Sequence, residues 1–333
     1  MMKVKKIYIC TTYYHVLITL AKSLLDKEET DIVLCDDIIG AENLCDKLNE
    51  YNIFKKVYFV RQSIIPELVS KNFLKNLFCL HKFNCTMAKK YINIDFNKYS
   101  DIYIFHDDTK IGHYLNDAGH YYHLIEDSLN FYQKILRTPF SYAVISDWKY
   151  YLKRILNYKY LPLGNSKYVI DVEVNENKNL KIKRKKIVEV NRNDLLNKVF
   201  LEYKNIIFDI FLKIDVNNLL HIKNKALILT EPLYEDNILQ SEQEQIDFYK
   251  VIAEDLKKKF NVYIKPHPRD CIDYSLCISD INIIKKEFPI EVFNYIEDLS
   301  FSIIVSKSSS CMDALNFAEV KISYTERSFL WVM

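Results

Sequence analysis

Residues 226–270 read ALILTEPLYEDNILQSEQEQIDFYKVIAEDLKKKFNVYIKPHPRD. A short apolar run from Ala226 to Thr230 precedes a stretch with helical periodicity, Glu242 to Lys259, and a second apolar run follows from Asn261 to Lys265. Strand, helix and strand in that order imply parallel pairing. Further runs at Phe301 to Val305 and Lys321 to Tyr324 extend the pattern to a Rossmann-like domain. The same alternation occupies the first part of the chain. Strands are expected at Lys6 to Thr11, Asp31 to Asp36, Lys56 to Val60, Asp101 to His106 and Tyr121 to Glu126, with helices at Val16 to Leu25 and Ala41 to Leu48. Between them, Thr138 to Asn224 is less regular and rich in Tyr, Lys and Asn. The expected organisation is therefore a domain over 1–137, an irregular excursion and linker over 138–224, and a second domain over 225–333.

Composition narrows the classes of function. The chain has 333 residues, 49% of them hydrophobic, enough for a substantial core and for two domains. Lys plus Arg number 46 against 44 Asp plus Glu. That balance lacks the global positive field of a nucleic-acid binder, so no nucleic-acid partner is expected. No run of 18 apolar residues and no signal-peptide pattern is found, which predicts a cytoplasmic chain. The eight Cys are scattered without a C-x-x-C pair, so neither a zinc site nor a disulfide framework is encoded. With only four Gly, at 40, 112, 119 and 164, the chain has neither G-x-G-x-x-G nor a P-loop. Other groups must hold the phosphate of any nucleotide that binds.

Such groups gather where strands are expected to end. After Asn261 to Lys265 comes Pro266-His267-Pro268-Arg269-Asp270, in which two prolines brace one imidazole. A protonated His267 would neutralise a departing phosphate, an attraction of ~4 kcal/mol at ~4 Å and an effective dielectric near 20. After Phe301 to Val305 comes Ser306-Lys307-Ser308-Ser309-Ser310, leading into a helix near Cys311 and Met312. Serines there cap orphan N–H groups, and the same N–H groups and hydroxyls make an anion site without glycine. Between the two lies Glu291, whose carboxylate can accept from the hydroxyls of a ribose.

These residues resemble the bacterial sialyltransferases of glycosyltransferase family 52, with relatives among polysialyltransferases and marine-type sialyltransferases. The resemblance rests on Thr12-Tyr13-Tyr14-His15 after the opening strand, an acidic pair, the segment Thr230-Glu231-Pro232-Leu233-Tyr234-Glu235-Asp236, the His267-Pro268 motif and the serines. The separations of 24 residues from His267 to Glu291 and 17 from Glu291 to Ser308 are similar to those of that wider group. It implies a GT-B fold, two Rossmann-like domains facing a central cleft, with residues 1–137 on the acceptor side and 225–333 binding the donor. It further implies His267 as general acid or phosphate partner, Pro268 as shaper of its loop, Glu291 on the ribose, and Ser308, Ser309 and Ser310 on the phosphate. Tyr14 and His15 fall on the acceptor side. Arg269 is a candidate partner for the donor carboxylate. The base belongs either to Glu126-Asp127, followed by Ser128 where the wider group has glycine, or to Glu235-Asp236. The implied reaction is inverting transfer of sialic acid from CMP-sialic acid to a galactose or sialic acid hydroxyl of a surface glycan, capsule or lipooligosaccharide, with no metal and no other cofactor.

Three rival readings stay open: a GT-B hexosyltransferase using a UDP-sugar, a nucleotide-sugar epimerase on the same scaffold, and a non-catalytic glycan or nucleotide binder. His106-Asp107-Asp108 lacks the spacing of a metal-binding Asp-x-Asp, and Gly112-His113 adds no third ligand. Trp148 to Tyr160 interleaves aromatics with cations, as does an interfacial helix or a solvated one with aromatics on the core. It and the basic run Lys181 to Lys186 are candidate contacts with the inner membrane, where a glycolipid acceptor lies.

Overall fold

The computed structural model describes residues 6–26, 28–66, 89–132, 163–164, 166–177, 186–212, 216–307, 312 and 314–324. The chain divides into two units, Met1–Tyr203 and Lys204–Met333. In the first, β1 (Lys6–Cys10), α1 (Tyr13–Asp26), β2 (Thr30–Cys35), α2 (Ala41–Glu50), β3 (Lys56–Val60), β4 (Asp101–Ile104), α3 (Lys110–Ala118), β5 (Tyr122–Ile125), β6 (Val169–Val174) and β7 (Lys186–Glu189) follow in order. The strands form one sheet, β3-β2-β1-β4-β5-β6-β7, in which every pairing is parallel. All six residues of β2 are buried, as expected for a strand covered on both faces.

Helix α4 (Arg192–Phe211) leaves helical geometry at Tyr203, φ −125° and ψ 18°, where the units divide. The second unit then contains α5 (Val216–His221), β8 (Lys225–Leu229), α6 (Glu242–Lys257), β9 (Asn261–Lys265), α7 (Tyr274–Cys277), β10 (Asn282–Ile283), a 3-10 turn over Ile290–Tyr295, β11 (Phe301–Ser306) and β12 (Ala318–Ser323). Its sheet, β10-β9-β8-β11-β12, is also wholly parallel. Helix α6 starts where the Ser241 hydroxyl accepts the Glu244 amide at 3.2 Å. It buries Gln245, Tyr249, Ile252, Ala253 and Leu256, one face at helical spacing. The apolar members pack on Ile228, Ile264 and Val305 of the sheet, and each large side chain so buried stabilises by roughly 1.5–3 kcal/mol. Two parallel α/β units are thus present, the composition expected of a GT-B chain.

In both sheets the strand order reverses beside the first strand, between β1 and β4 and again between β8 and β11. At such a switch point the loops leaving neighbouring strands run in opposite directions and open a crevice at the carboxyl ends.

The segment 138–224 departs from its expected irregularity. Within it, β6 and β7 extend the first sheet and α4 runs for 20 residues. The acidic residues of β6 (VIDVEV) hid the strand, because a carboxylate in a buried strand is rare unless paired. Glu173 is paired: Arg192 Nη1 lies 2.5 Å and Lys22 Nζ 2.7 Å from its oxygens. Burial opposes its charge, but Arg192 and Lys22 outweigh that and hold its carboxyl below the usual range. Among the described residues no helix is long and apolar enough to cross a membrane. Trp148 to Tyr160 and Lys181 to Lys185 lie outside the described residues, whereas Lys186 opens β7.

Candidate active site

At the carboxyl edge of the second sheet, the neighbours β9, β8 and β11 end in Lys265, Leu229 and Ser306. The residues just beyond them meet. The His267 amide donates to the Thr230 hydroxyl at 3.0 Å, and the Ser306 hydroxyl donates to Glu231 at 3.0 Å. Glu231 is held in turn by the Tyr249 hydroxyl, 2.7 Å from its amide. The Pro266-to-Asp270 turn closes with the Asp270 amide donating to the His267 carbonyl at 2.9 Å. Pro268 sits within that turn, half-buried, with no N–H that could compete for the carbonyl.

The imidazole of His267 is set by its own loop. The Arg269 amide donates to Nδ1 at 3.1 Å, which leaves the ring proton on Nε2. Burial disfavours the charged ring, and Arg269, Lys265 and Lys286 repel it further, so its pKa falls to about 4 despite Asp236. Before any anion arrives, the ring is a neutral Nε2–H donor at pH 7.

Arg269 and Asp236 form a two-pronged pair at 2.8 and 3.1 Å, both partly exposed. In the absence of a ligand, the expected partner of the donor carboxylate and one of the candidate bases are thus held to each other. Glu235 accepts the Cys271 amide through Oε1 at 3.3 Å, while its buried Oε2 has no hydrogen-bond partner among the described residues. Glu291 opens the 3-10 turn behind Pro289 and is 8% exposed. Burial raises its pKa, offset in part by Lys265, the residue that also acts on His267. Lys265 thus acts electrostatically on both Glu291 and His267. Ser308, Ser309 and Ser310 lie outside the described residues, and Ser306 is the serine that the structure places at this edge.

The first sheet has its own constellation beside its switch point. His15, 0% exposed, lies in the first turn of α1 and stacks on Phe105 at 4.3 Å. The Thr11 amide donates to its Nδ1 at 3.2 Å, so Nε2 carries the proton and donates to Asp127, 2.9 Å from the carbonyl and 3.2 Å from Oδ1. Asp127 is 29% exposed at its side chain. Its neighbour Glu126 is buried, and both oxygens are taken, by the Tyr132 amide at 3.2 Å and the Asn175 amide at 2.7 Å. The pair separates in this way, with Glu126 bracing the loop and Asp127 presented at the surface. Tyr14 is half-buried, its ring 6.4 Å from that of His15, and acts electrostatically on Arg192.

Asp107 is buried and accepts the Leu163 amide at 2.6 Å and the Tyr122 hydroxyl at 3.1 Å, while His113 pairs with Asp108 at 3.1 Å. Among the described residues no group of three or more His, Cys, Asp or Glu is placed to hold a metal. Sequence reasoning passed over Thr11, Phe105, Thr230, Glu231, Asp270 and Ser306 as site residues. Their one signal was position, since each lies at or just past the end of a strand or beside the His-Pro turn.

The profile of glycosyltransferase family 52 matches residues 50–327. A protein of Haemophilus influenzae described as uncharacterized is 33% identical over 98 residues, which cover 29% of this chain and 30% of that protein. Among solved structures, UDP-GlcNAc 2-epimerase from Neisseria meningitidis bound to UDP-GlcNAc aligns with 92% of this chain and 78% of its own, at 15% identity and a TM-score of 0.45. The glycotransferase of kitacinnamycin aligns with 92% and 76%, at 7% identity and a TM-score of 0.37.

Proposed function

The chain belongs to glycosyltransferase family 52, and from that premise we propose that this glycosyltransferase moves sialic acid from CMP-sialic acid to a galactose or sialic acid hydroxyl of a bacterial surface glycan, with inversion and without a metal. A glycosyltransferase takes a nucleotide-sugar donor and a glycan acceptor. The observation that carries the finer reading is the His267 turn. A neutral Nε2–H, ringed by Lys265, Arg269 and Lys286, suits the single phosphate of a cytidine monophosphate leaving group.

In the reaction the acceptor oxygen bonds to the anomeric carbon while the bond from that carbon to the CMP phosphate breaks. The acceptor proton passes to a carboxylate, and CMP leaves with the bonding electron pair. His267 donates its Nε2–H hydrogen bond to the phosphate, and that bond strengthens as charge builds on the leaving oxygen. Asp127 is the preferred base, because His15 orients it and Glu126 is consumed by two amides. Glu235 is the remaining candidate of the other pair, since Asp236 is tied to Arg269.

A donor panel tests this reading. The purified protein should release CMP from CMP-sialic acid, slowly to water and faster with galactose- or sialic-acid-terminated acceptors, in the presence of EDTA. Release of UDP from a UDP-sugar, with CMP-sialic acid left intact, would overturn it.

A further inference from the structure

Behind the His267 turn runs a line of buried polar groups that the transfer chemistry does not touch. Asp270, 0% exposed, accepts from the Thr230 hydroxyl at 2.6 Å, the Tyr274 hydroxyl at 2.8 Å and the Ile272 amide at 3.1 Å. Because an ionised carboxylate only accepts, both hydroxyls must give it their protons. Thr230 is left with lone pairs, one of which takes the His267 amide at 3.0 Å. The Tyr274 oxygen accepts from Gln245 Nε2 at 2.9 Å, so the carbonyl end of Gln245 is free to take the Tyr234 amide at 2.8 Å. Each donor has one acceptor, and the direction of every bond follows from the charge on Asp270. The Lys286 ammonium adds a bond to the Asp270 carbonyl at 2.7 Å.

This line joins two segments of the site from beneath. One end is the main chain of His267, and the other is the loop carrying Glu231, Glu235 and Asp236. Packing alone does not call for it. A buried carboxylate costs several kcal/mol in lost hydration, and an apolar side chain of similar volume fills the same space at less cost. What the polar line supplies is one fixed orientation in a core otherwise built from Ile228, Ile264 and Tyr249.

We propose that Thr230, Asp270, Tyr274 and Gln245 are positioning residues of the transfer site, with Asp270 as the anchor that fixes the His267 turn through Thr230 and the Glu231-to-Asp236 loop through Tyr274 and Gln245. The proposal rests on the reading of His267 as the partner of the donor phosphate. Its physical content is geometric. Without the Thr230 hydroxyl, the His267 amide loses its acceptor, the turn moves, and Nε2 no longer meets the phosphate at hydrogen-bond distance.

The test compares Thr230→Val, nearly the same shape without the acceptor, with Thr230→Ser, which restores it, and with Asp270→Asn. Misplacing a reacting group by about 1 Å costs on the order of 10²-fold in rate. Thr230→Val and Asp270→Asn should therefore lower kcat for CMP release by roughly that factor, and the KM for CMP-sialic acid should rise as the donor phosphate loses its Nε2–H partner. Thr230→Ser should recover most of the rate. Thermal unfolding checks that the variants are folded, and the ring signals of His267, followed by NMR through a pH titration without ligand, give a readout that needs no turnover. Those signals should move in Thr230→Val and return in Thr230→Ser. Wild-type kcat in Thr230→Val, failure of Thr230→Ser to rescue a folded protein, or unchanged His267 signals would each overturn the proposal. Should the wild-type protein turn over no CMP-sugar, the functional reading fails, and the NMR comparison still decides whether Thr230 and Asp270 position His267.

Discussion

Filling the donor site should restore the missing proton of His267. In the ligand-free protein, burial and the charges of Arg269, Lys265 and Lys286 hold its pKa down to about 4, from an ordinary 6.5. One negative charge placed ~4 Å from the ring attracts the imidazolium by ~4 kcal/mol at an effective dielectric near 20. At 1.36 kcal/mol per pH unit, that lifts the midpoint by at most about three units, because the added proton goes to Nδ1 and displaces the Arg269 amide. Cytidine brings the base and the ribose without the phosphate and supplies the control. NMR titration of the His267 ring, assigned with His267→Gln, should give a midpoint near 4 in the free protein and with cytidine, and a clearly higher one with CMP. The same coupling strengthens the hydrogen bond from the ring as charge builds on the leaving phosphate. Equal midpoints with cytidine and CMP would refute the reasoning, because the phosphate would then not reach the ring. A midpoint near 6.5 without ligand would refute it differently, by showing that burial and the three cations do not act on His267 as described.

Three further outcomes follow from particular contacts. Asp127→Asn should lower kcat by ~10²–10⁴-fold, the usual worth of a positioned base. Asp236→Asn, which only loosens the Arg269 pair, should have a much smaller effect, and the reverse ranking in a CMP-release assay would move the base to the second pair. Stability against pH should carry the mark of His267. Its folded pKa lies below the unfolded one, so the unfolded chain takes up the proton first as pH falls, and stability is lost between 6.5 and 4. Urea unfolding of His267→Gln should show a shallower fall across that window, by at most roughly 3 kcal/mol, and an identical slope in the two proteins would count against the depressed pKa. Gly112→Ala should destabilise the first unit despite the better helix propensity of Ala, since the new Cβ would stand 2.2 Å from the Asp107 carbonyl oxygen. The expected loss is about 1–3 kcal/mol, seen as a lower Tm.

What could be read from residues alone, and what could not, divides along a physical line. Parallel strands covered on both faces are short continuous apolar runs, and those of β2 and β8 stand out against any loop, so both sheets were legible. Strand ends then locate the carboxyl edge, which is why His267, the two acidic pairs and the serine stretch stand out as candidates in the sequence. The pattern fails where a polar group is buried and balanced by a residue far away in the chain. Glu173 looks like a loop residue until Arg192, 19 positions later, and Lys22, 151 positions earlier, close on it. Glu126 and Asp127 are adjacent acids that sequence cannot rank, because what separates them is an amide at 175 on one and an imidazole at 15 on the other. Hydrophobic periodicity reports on burial averaged over a face and is blind to direction, whereas the choice between a bracing carboxylate and a reacting one depends on which lone pairs are already taken. The low pKa of His267 was hidden in the same way: Lys265 and Arg269 are visible beside it in the sequence, but the loss of hydration that does most to disfavour the charged ring comes only with the fold.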